Sequence, residues 1–348
     1  MPTPFRVGVI GTGFGASVHI PAYKASPDFE VVAVVSGHRE NAERVAAEHG
    51  IAWSGDDYRK MLREVDLDVV SIATPGGLHH EIALAAAESG RHILCEKPFA
   101  TSLAEAREML AAVRKANVGH AVNHEFRMMP SRQAFRRMVA EGFLGTAFDV
   151  RTLLDMGMLL NTSREWSWWS DRKQYGGMLQ AMTSHLIDFL LWTFGDISHL
   201  SGRLDTFIRS RPSDAGPREV TSDDANAALL RFAGGASGLI SVTGVARAQR
   251  NIIEAHGSAG SVSIENNKLL AAREAGKFEP VEVPSEPNGQ VGWMSGYLSH
   301  VAKAFRGEPS EMVADFAQGV RVQAVMDAIH QSSDAGGTRV EVAATGGK

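Results

Sequence analysis

The sequence predicts two domains: a doubly wound α/β sheet, then an α+β domain on a mainly antiparallel sheet. Three observations predict this. β-branched runs alternate with helix-patterned stretches through residue 122, the alternation then stops, and residues 200–270 hold several strand-like runs with few helical patterns between them. Parallel strands need crossover helices, whereas strands that follow one another directly pair antiparallel. The expected division is 1–122 and 123–348, and a chain of 348 residues is long enough for both.

Residues 5–10 read as a short buried strand, followed by a turn at 11–15 and a helix. Strand-like runs follow at 30–35, 68–72, 92–95 and 118–122, with helical spacing at 41–49, 81–88 and 102–115 between them. Thr101-Ser102 with Glu105 has the spacing of a helix-capping box. Beyond the boundary, 134–141 is helical and 145–154 strand-like. A loop carrying Trp166, Trp168 and Trp169 leads to Gly176-Gly177 and an apolar helix over 178–194. The runs 225–232, 236–245 and 251–256 supply the antiparallel sheet, and helices follow at 296–305 and 312–330. Residues 210–221 and 280–292 are rich in Pro, Gly and Ser and read as exposed loops.

Composition excludes several function classes. Lys and Arg total 35 against 40 Asp and Glu, a net charge of -5, which argues against the basic face of a nucleic-acid binder. A single cysteine, Cys95, rules out an internal disulfide framework and a multi-cysteine zinc site. No run of 18 apolar residues is present, so no membrane span is expected. The start, Met1-Pro2-Thr3-Pro4, has no charged region followed by an apolar stretch, so the expectation is a cytoplasmic chain. His79-His80-Glu81 invites a metal reading, but adjacent residues diverge on a helix and no third ligand is evident, so no metal is expected.

Gly11-Thr12-Gly13-Phe14-Gly15-Ala16 fits G-x-G-x-x-[G/A], follows a strand and opens a helix. In that context the first Gly permits the tight turn, and the second lets backbone approach a pyrophosphate. The helix N-terminus then faces the anion with unpaired N–H groups. The bland alternative is an ordinary βα turn. About 20 residues on, NAD sites place a carboxylate for the ribose 2′-OH. This chain has Ser36-Gly37-His38-Arg39 there, with no acid before Glu40. A hydroxyl followed by a guanidinium suits a 2′-phosphate, so the expected cofactor is NADP(H) in preference to NAD(H). The competing reading is that Arg39 is a solvated residue at the start of the next helix.

Glu96-Lys97-Pro98 closes the strand at 92–95, on the sheet edge where open α/β folds bind ligands. A lysine beside a cationic nicotinamide has its own charge disfavoured, which suits proton exchange. Pro98 permits a cis bond, since X–Pro reduces the trans preference to about 0.5–1 kcal/mol. An ordinary surface Glu-Lys pair is the competing reading.

Several features together resemble the Gfo/Idh/MocA oxidoreductases, the glucose-fructose oxidoreductase and inositol dehydrogenase group. They are the glycine turn with His19 after it, Ala73-Thr74-Pro75 with His79, and Cys95-Glu96-Lys97-Pro98. Asn123-His124-Glu125-Phe126-Arg127 follows, then Gly176-Gly177 leading to His185-Leu186-Ile187-Asp188. The resemblance spans nearly the whole chain. It implies a Rossmann domain, a second domain with an open, mainly antiparallel sheet, and NAD(P)-dependent chemistry on sugars, cyclitols or related polyols. It places Lys97 between nicotinamide and the reacting hydroxyl, Glu96 at the nicotinamide ribose, and Thr74, Pro75 and His79 along the cofactor cleft. It also implies a homodimer or homotetramer.

One departure stands out. The family's second-domain signature Asp-x-Gly-x-His reads Ala181-Met182-Thr183-Ser184-His185 here. An aspartate can bind a substrate hydroxyl and alanine cannot, which shifts proton transfer onto Lys97 and His185. His185 alone in an apolar helix would read as a core residue; the resemblance favours catalysis. Asp188 either orients its imidazole or serves a contact elsewhere. Asn123, Arg127 and Trp168 are candidate substrate contacts, with a structural ion pair the alternative for Arg127 and core packing for Trp168. The expectation is thus an NADP(H)-dependent sugar or polyol oxidoreductase, with a cofactor-bound sugar sensor lacking turnover as its rival.

Overall fold

The computed structural model describes residues 3–273, 276–285, 287, 289–308 and 310–345. The chain divides into two compact units, Met1–Met128 with Glu286–Val320, and Met129–Ser285 with Arg321–Lys348.

The first unit is a six-stranded parallel sheet of β1 (Phe5–Ile10), β2 (Phe29–Val35), β3 (Trp53–Gly55), β4 (Val69–Ile72), β5 (His92–Cys95) and β6 (His120–Val122). Their order is β3-β2-β1-β4-β5-β6, so the chain reverses direction across the sheet between β1 and β4. Ligands of open α/β sheets bind outside the carboxyl ends at such a switch point. Both faces are apolar because successive side chains point to opposite sides. Val7, Val9, Val69, Leu94 and Ala121 enter one core, while Ile10, Val70, Ile72, Ile93, Cys95 and Val122 enter the other. β3 lies outside the expected strands: three residues on a sheet edge carry no readable period.

Residues 286–320 pack with this first unit, although the sequence placed the second domain at 123–348. The helix Gly289–Phe305 buries Met294, Tyr297, Leu298, Val301 and Phe305 against the Val7 core. Tyr297 donates its hydroxyl to Val122 O (2.7 Å) and accepts from Ala314 N (2.9 Å). An apolar helix distant in sequence thus covers a sheet face that its own βα units leave bare.

The second unit carries β7 (Ala147–Asp155), β8 (Ile197–Asp205), β9 (Ser210–Arg211), β10 (Arg218–Glu219), β11 (Ala225–Phe232), β12 (Ser237–Thr243), β13 (Arg250–Gly257), β14 (Ser261–Glu265), β15 (Lys268–Ala272), β16 (Glu279–Val281) and β17 (Val340–Glu341). Nine of them form one sheet, β16-β15-β14-β13-β7-β12-β11-β8-β17, in which β7 and β12 pair in parallel and the other neighbours antiparallel. One face packs on the helices Pro130–Ala140 and Ser184–Phe194, burying Val150, Ala228, Leu230, Ile240 and Ile253 with Phe135, Leu186 and Phe189. Leu229, between two buried neighbours on β11, is 64% exposed. β9 and β10 form a two-residue ribbon where a plain exposed loop was expected. Buried Arg211 anchors it by donating to Asn161 O (2.8 Å) and Leu159 O (2.9 Å). No described helix is long and apolar enough to cross a membrane.

Candidate active site

The three glycines after β1 are needed for different physical reasons. Gly11 has φ +114°, and a Cβ there would lie 2.3 Å from Ala73 O, the backbone just past β4. A Cβ on Gly13 would meet nothing within 4 Å, so its backbone faces open space that a phosphate can approach. Gly15 sits tight, its Cβ position 3.2 Å from Val9 Cγ1 and 3.3 Å from Ala73 Cβ. The close-packing role therefore falls to Gly15, although the spacing puts Ala16 in the motif's last slot. The turn that follows is π-wound over Gly15–His19 before it becomes the α-helix Ile20–Lys24. Phe14 meets the His19 ring edge-on at 5.6 Å.

Thr12 donates to Ser36 Oγ (3.0 Å), joining the glycine turn to the end of β2. Arg39 is the first residue of the helix Arg39–His49 and donates through Nε to Glu43 Oε1 (2.8 Å), with both side chains largely exposed. That contact is the solvated-helix arrangement. A 2′-phosphate would have to compete with Glu43 for the guanidinium.

Glu96 is the hub of the first unit's carboxyl edge. It is buried just past β5, where Oε1 accepts from His19 Nε2 (2.8 Å) and Asn123 Nδ2 (2.5 Å), and Oε2 from Lys97 N (3.2 Å). Burial alone would raise its pKa. The His19 hydrogen bond and charge, Lys97 and the Asn123 amide more than offset this and hold the carboxyl below its ordinary range. His19 Nδ1 meets Ser71 Oγ at 2.8 Å. The order Glu96–His19–Ser71 has hydrolase-triad connectivity, but Ser71 lies fully buried mid-strand and is no nucleophile. Half-buried Lys97 follows Glu96, and the Lys97–Pro98 peptide is cis.

His79 is fully buried, with Nδ1 2.9 Å from Pro98 O and Nε2 2.9 Å from Thr74 O. It ties the loops after β4 and β5 together. Burial lowers its pKa, with the two carbonyls and Glu96 opposing, and a neutral ring can donate to one carbonyl only. Asn123 is buried with its amide spent on Glu96, and Arg127 is buried in the turn Glu125–Met128. Among the described residues no cluster of His, Cys, Asp and Glu could hold a metal.

In the second unit His185 and Asp188 are buried on Ser184–Phe194. The preceding turn, Leu179–Thr183, is π-wound, with Ser184 N donating to Leu179 O, so Ala181 and His185 are not joined by plain α-helix. Asp223 caps this turn: its backbone O accepts from Met178 N and its Oδ2 from Leu179 N, both at 3.0 Å. Asn226 Nδ2 donates to the same Oδ2 (2.9 Å), and Thr183 Oγ1 donates to Asn226 Oδ1 (2.9 Å). Thr183, in the family's glycine slot, thus spends its hydroxyl inside the unit. The Gly176-Gly177 pair follows from close approach. A Cβ on Gly176 would lie 2.4 Å from Trp169 O, and one on Gly177 2.1 Å from Asp223 Oδ1. Trp168 is half-buried, its ring 5.7 Å from Trp169. The last helix, Phe316–Asp334, lays a polar stripe along the same segment. Gln323 bonds Tyr175 OH, Gln180 Nε2 meets His330 Nε2 at 2.8 Å, and Asp334 holds Arg172 through two contacts of 2.6 and 2.8 Å.

Burial pushes the Asp223 carboxyl up to about 7, against the Asn226 and Leu179 hydrogen bonds and helped by Asp224. Burial and then Arg172 lower His330 to about 4. The Asp223 contribution to stability is complete below 3.8 and lost as pH rises through about 7. That of His330 is complete above 6.5 and lost as pH falls through about 4. The two slopes oppose one another between. Asp223→Asn should leave the His330 slope uncovered, so the variant weakens relative to wild type by up to about 3 kcal/mol from pH 6.5 to 4. Urea midpoints across that range measure this, and parallel profiles would refute it.

Asp223 and Asn226, and His19 and Ser71 as partners of Glu96, were not legible from local pattern as site residues. His19 alone carried a signal, its place after the glycine turn.

Residues 5–124 match a family model described as an oxidoreductase family with an NAD-binding Rossmann fold, and residues 132–263 match the GFO/IDH/MocA C-terminal domain. An uncharacterised oxidoreductase of Synechocystis is 32% identical over 76% of this chain and 72% of its own. Levoglucosan dehydrogenase of Pseudarthrobacter phenanthrenivorans is 29% identical, covering 94% of this chain and 96% of its own. D-glucoside 3-dehydrogenase of Escherichia coli is 29% identical over 98% of both. A levoglucosan dehydrogenase structure in complex with NADH and L-sorbose superposes with a TM-score of 0.90 at 28% identity, over 98% of this chain and 100% of the other.

Proposed function

This chain belongs to the Gfo/Idh/MocA oxidoreductases, and from that premise we propose that it is an NADP(H)-dependent dehydrogenase or reductase acting on a carbinol carbon of a sugar or related polyol. The observation that carries the reading is the 2.8 Å contact between His19 and Glu96. It makes the glycine turn and the Glu-Lys-Pro turn one assembly at the sheet's switch point. The open backbone at Gly13 fits a pyrophosphate, with Thr12 and Ser36 at the adenosine side. When bound, the nicotinamide supplies or accepts the hydride. Lys97 exchanges the proton of the substrate hydroxyl, Glu96 anchors the nicotinamide ribose, and His185 orients the substrate oxygen or shares the proton. Thr74 and Pro75 border the cofactor, and Arg127 and Trp168 contact the sugar.

The test is a panel of aldoses, ketoses, inositols and sugar phosphates, read by NAD(P)H absorbance. Turnover of at least one substrate is expected. Ala181, buried where the family carries aspartate, favours a second reading, a sugar sensor. Dinucleotide and sugar binding with no redox change across the panel would select it.

The 2′-phosphate preference rests on Ser36 and Arg39 with no carboxylate at the end of β2. We expect kcat/KM to favour NADP(H), and Arg39→Ala to lower the NADP(H) value by about 10- to 100-fold, the worth of a hydrogen bond to a charged group. NAD(H) kinetics should be unaffected. A clear wild-type preference for NAD(H) would reject the assignment.

A further inference from the structure

We propose that His19 is a positioning residue for the reaction: it acts through Glu96, fixing that carboxylate, ionised and in one orientation, against the backbone of Lys97. The inference rests on the functional reading above, but its physical core stands on the first unit alone.

The geometry fixes the proton between His19 and Glu96. Glu96 Oε1 is 2.8 Å from His19 Nε2, and an ionised carboxylate only accepts, so Nε2 carries the proton. His19 Nδ1 lies 2.8 Å from Ser71 Oγ, a hydroxyl that can donate to a bare ring nitrogen or accept from a protonated one. Asn123 adds a second donor to Oε1, leaving Oε2 for Lys97 N. His19, Ser71 and Asn123 are all fully buried, so no solvent competes for these bonds. Each element contributes one partner: the turn after β1, the strand β4 and the residue after β6. Rotation of the carboxylate therefore breaks bonds to two other segments, through His19 and Asn123, with Ser71 holding His19 in place.

The other titratable groups that feel the Glu96 charge are Tyr23, His79, Cys95 and Lys97. Tyr23 and Cys95 ionise only to anions and burial keeps both neutral, so neither is a counter-charge, and burial lowers His79, which lies between two carbonyls. His19 and Lys97 are left as the groups that stabilise the anion, and Lys97 must stay available for proton exchange. Removing the His19 donor leaves a buried oxygen with one partner fewer, which favours the protonated acid.

The experiment compares wild type with His19→Gln, His19→Asn and His19→Ala. Gln places an amide N–H near the Nε2 position; Asn reaches only toward Ser71; Ala supplies neither. The Glu96 carboxyl is followed by carbon-13 NMR across pH in the full chain, with Glu96→Gln assigning the signal, and each variant's fold is checked by circular dichroism. His19→Asn and His19→Ala should titrate Glu96 at higher pH than wild type, and His19→Gln should restore it. In turnover assays the acid limb of kcat/KM should move toward neutral in His19→Asn, with a loss of about 10- to 100-fold that His19→Gln recovers to within about threefold. A Glu96 titration unchanged in a folded His19→Asn variant overturns the proposal. Failure of every sugar to react would instead count against the functional reading, and the carboxyl titration would still decide the role of His19.

Discussion

Lys97→Ala should lower kcat by about a thousandfold while dinucleotide affinity stays within a few-fold. A positioned acid or base contributes roughly 10²- to 10⁴-fold, and a thousandfold corresponds to about 4 kcal/mol of barrier. Alanine keeps the backbone N–H that donates to Glu96 Oε2, so the turn and the anchoring carboxylate survive and only the amine is lost. The effect should fall on kcat more than on cofactor binding, and added small primary amines should recover part of the rate. Steady-state kinetics with a substrate from the sugar panel, beside NADPH fluorescence titration, make the measurement. Turnover equal to wild type would remove Lys97 from the mechanism.

The second large effect separates two glycines two residues apart. Gly11→Ala forces a methyl to within 2.3 Å of Ala73 O at a φ of +114°. The obstacle is backbone from the neighbouring strand, which cannot rotate aside as a side chain can. The cost is about 3 kcal/mol or more, and the variant should unfold at a clearly lower denaturant midpoint or fail to accumulate. Gly13→Ala meets nothing within 4 Å, so its stability should stay within about 0.5 kcal/mol of wild type, while dinucleotide affinity falls by about tenfold or more because the methyl occupies the space a phosphate needs. A Gly13→Ala protein that binds dinucleotide as wild type does would show that the open turn serves no ligand.

Much of the architecture was legible because its signals are local. The strands at 5–10, 69–72 and 92–95 have apolar residues on both faces, as buried parallel strands must, and β11 alternates because its sheet has one covered face. Thr101-Ser102 with Glu105 caps its helix as the spacing announced, except that the Glu105 carboxylate reaches past the N-cap to Thr101. Ser102 Oγ accepts from Glu105 N (3.2 Å), and Glu105 Oε2 accepts from Thr101 N (3.0 Å). The glycine turn was legible too, but the packing slot fell on Gly15 because the π-wound turn draws that backbone against Val9. Arg39 shows the limit of a local argument. Its position suits a 2′-phosphate, yet position says nothing of Glu43, one helical turn on, which holds the guanidinium in this structure.

The chain's own pattern of apolar periodicity, glycines and caps determined two things: a parallel sheet opening on a phosphate-binding turn, and a mainly antiparallel sheet after it. Those features depend on residues within one turn or one strand of each other, so a linear reading reaches them. The environments of the functional side chains were decided only in three dimensions. Glu96 draws its donors from positions 19 and 123, Asp223 caps a turn 44 residues before it, and residues 289–305 complete the first core. A carboxylate in a low-dielectric interior is set by which donors surround it, and those donors arrive from strands that become neighbours only when the sheet forms.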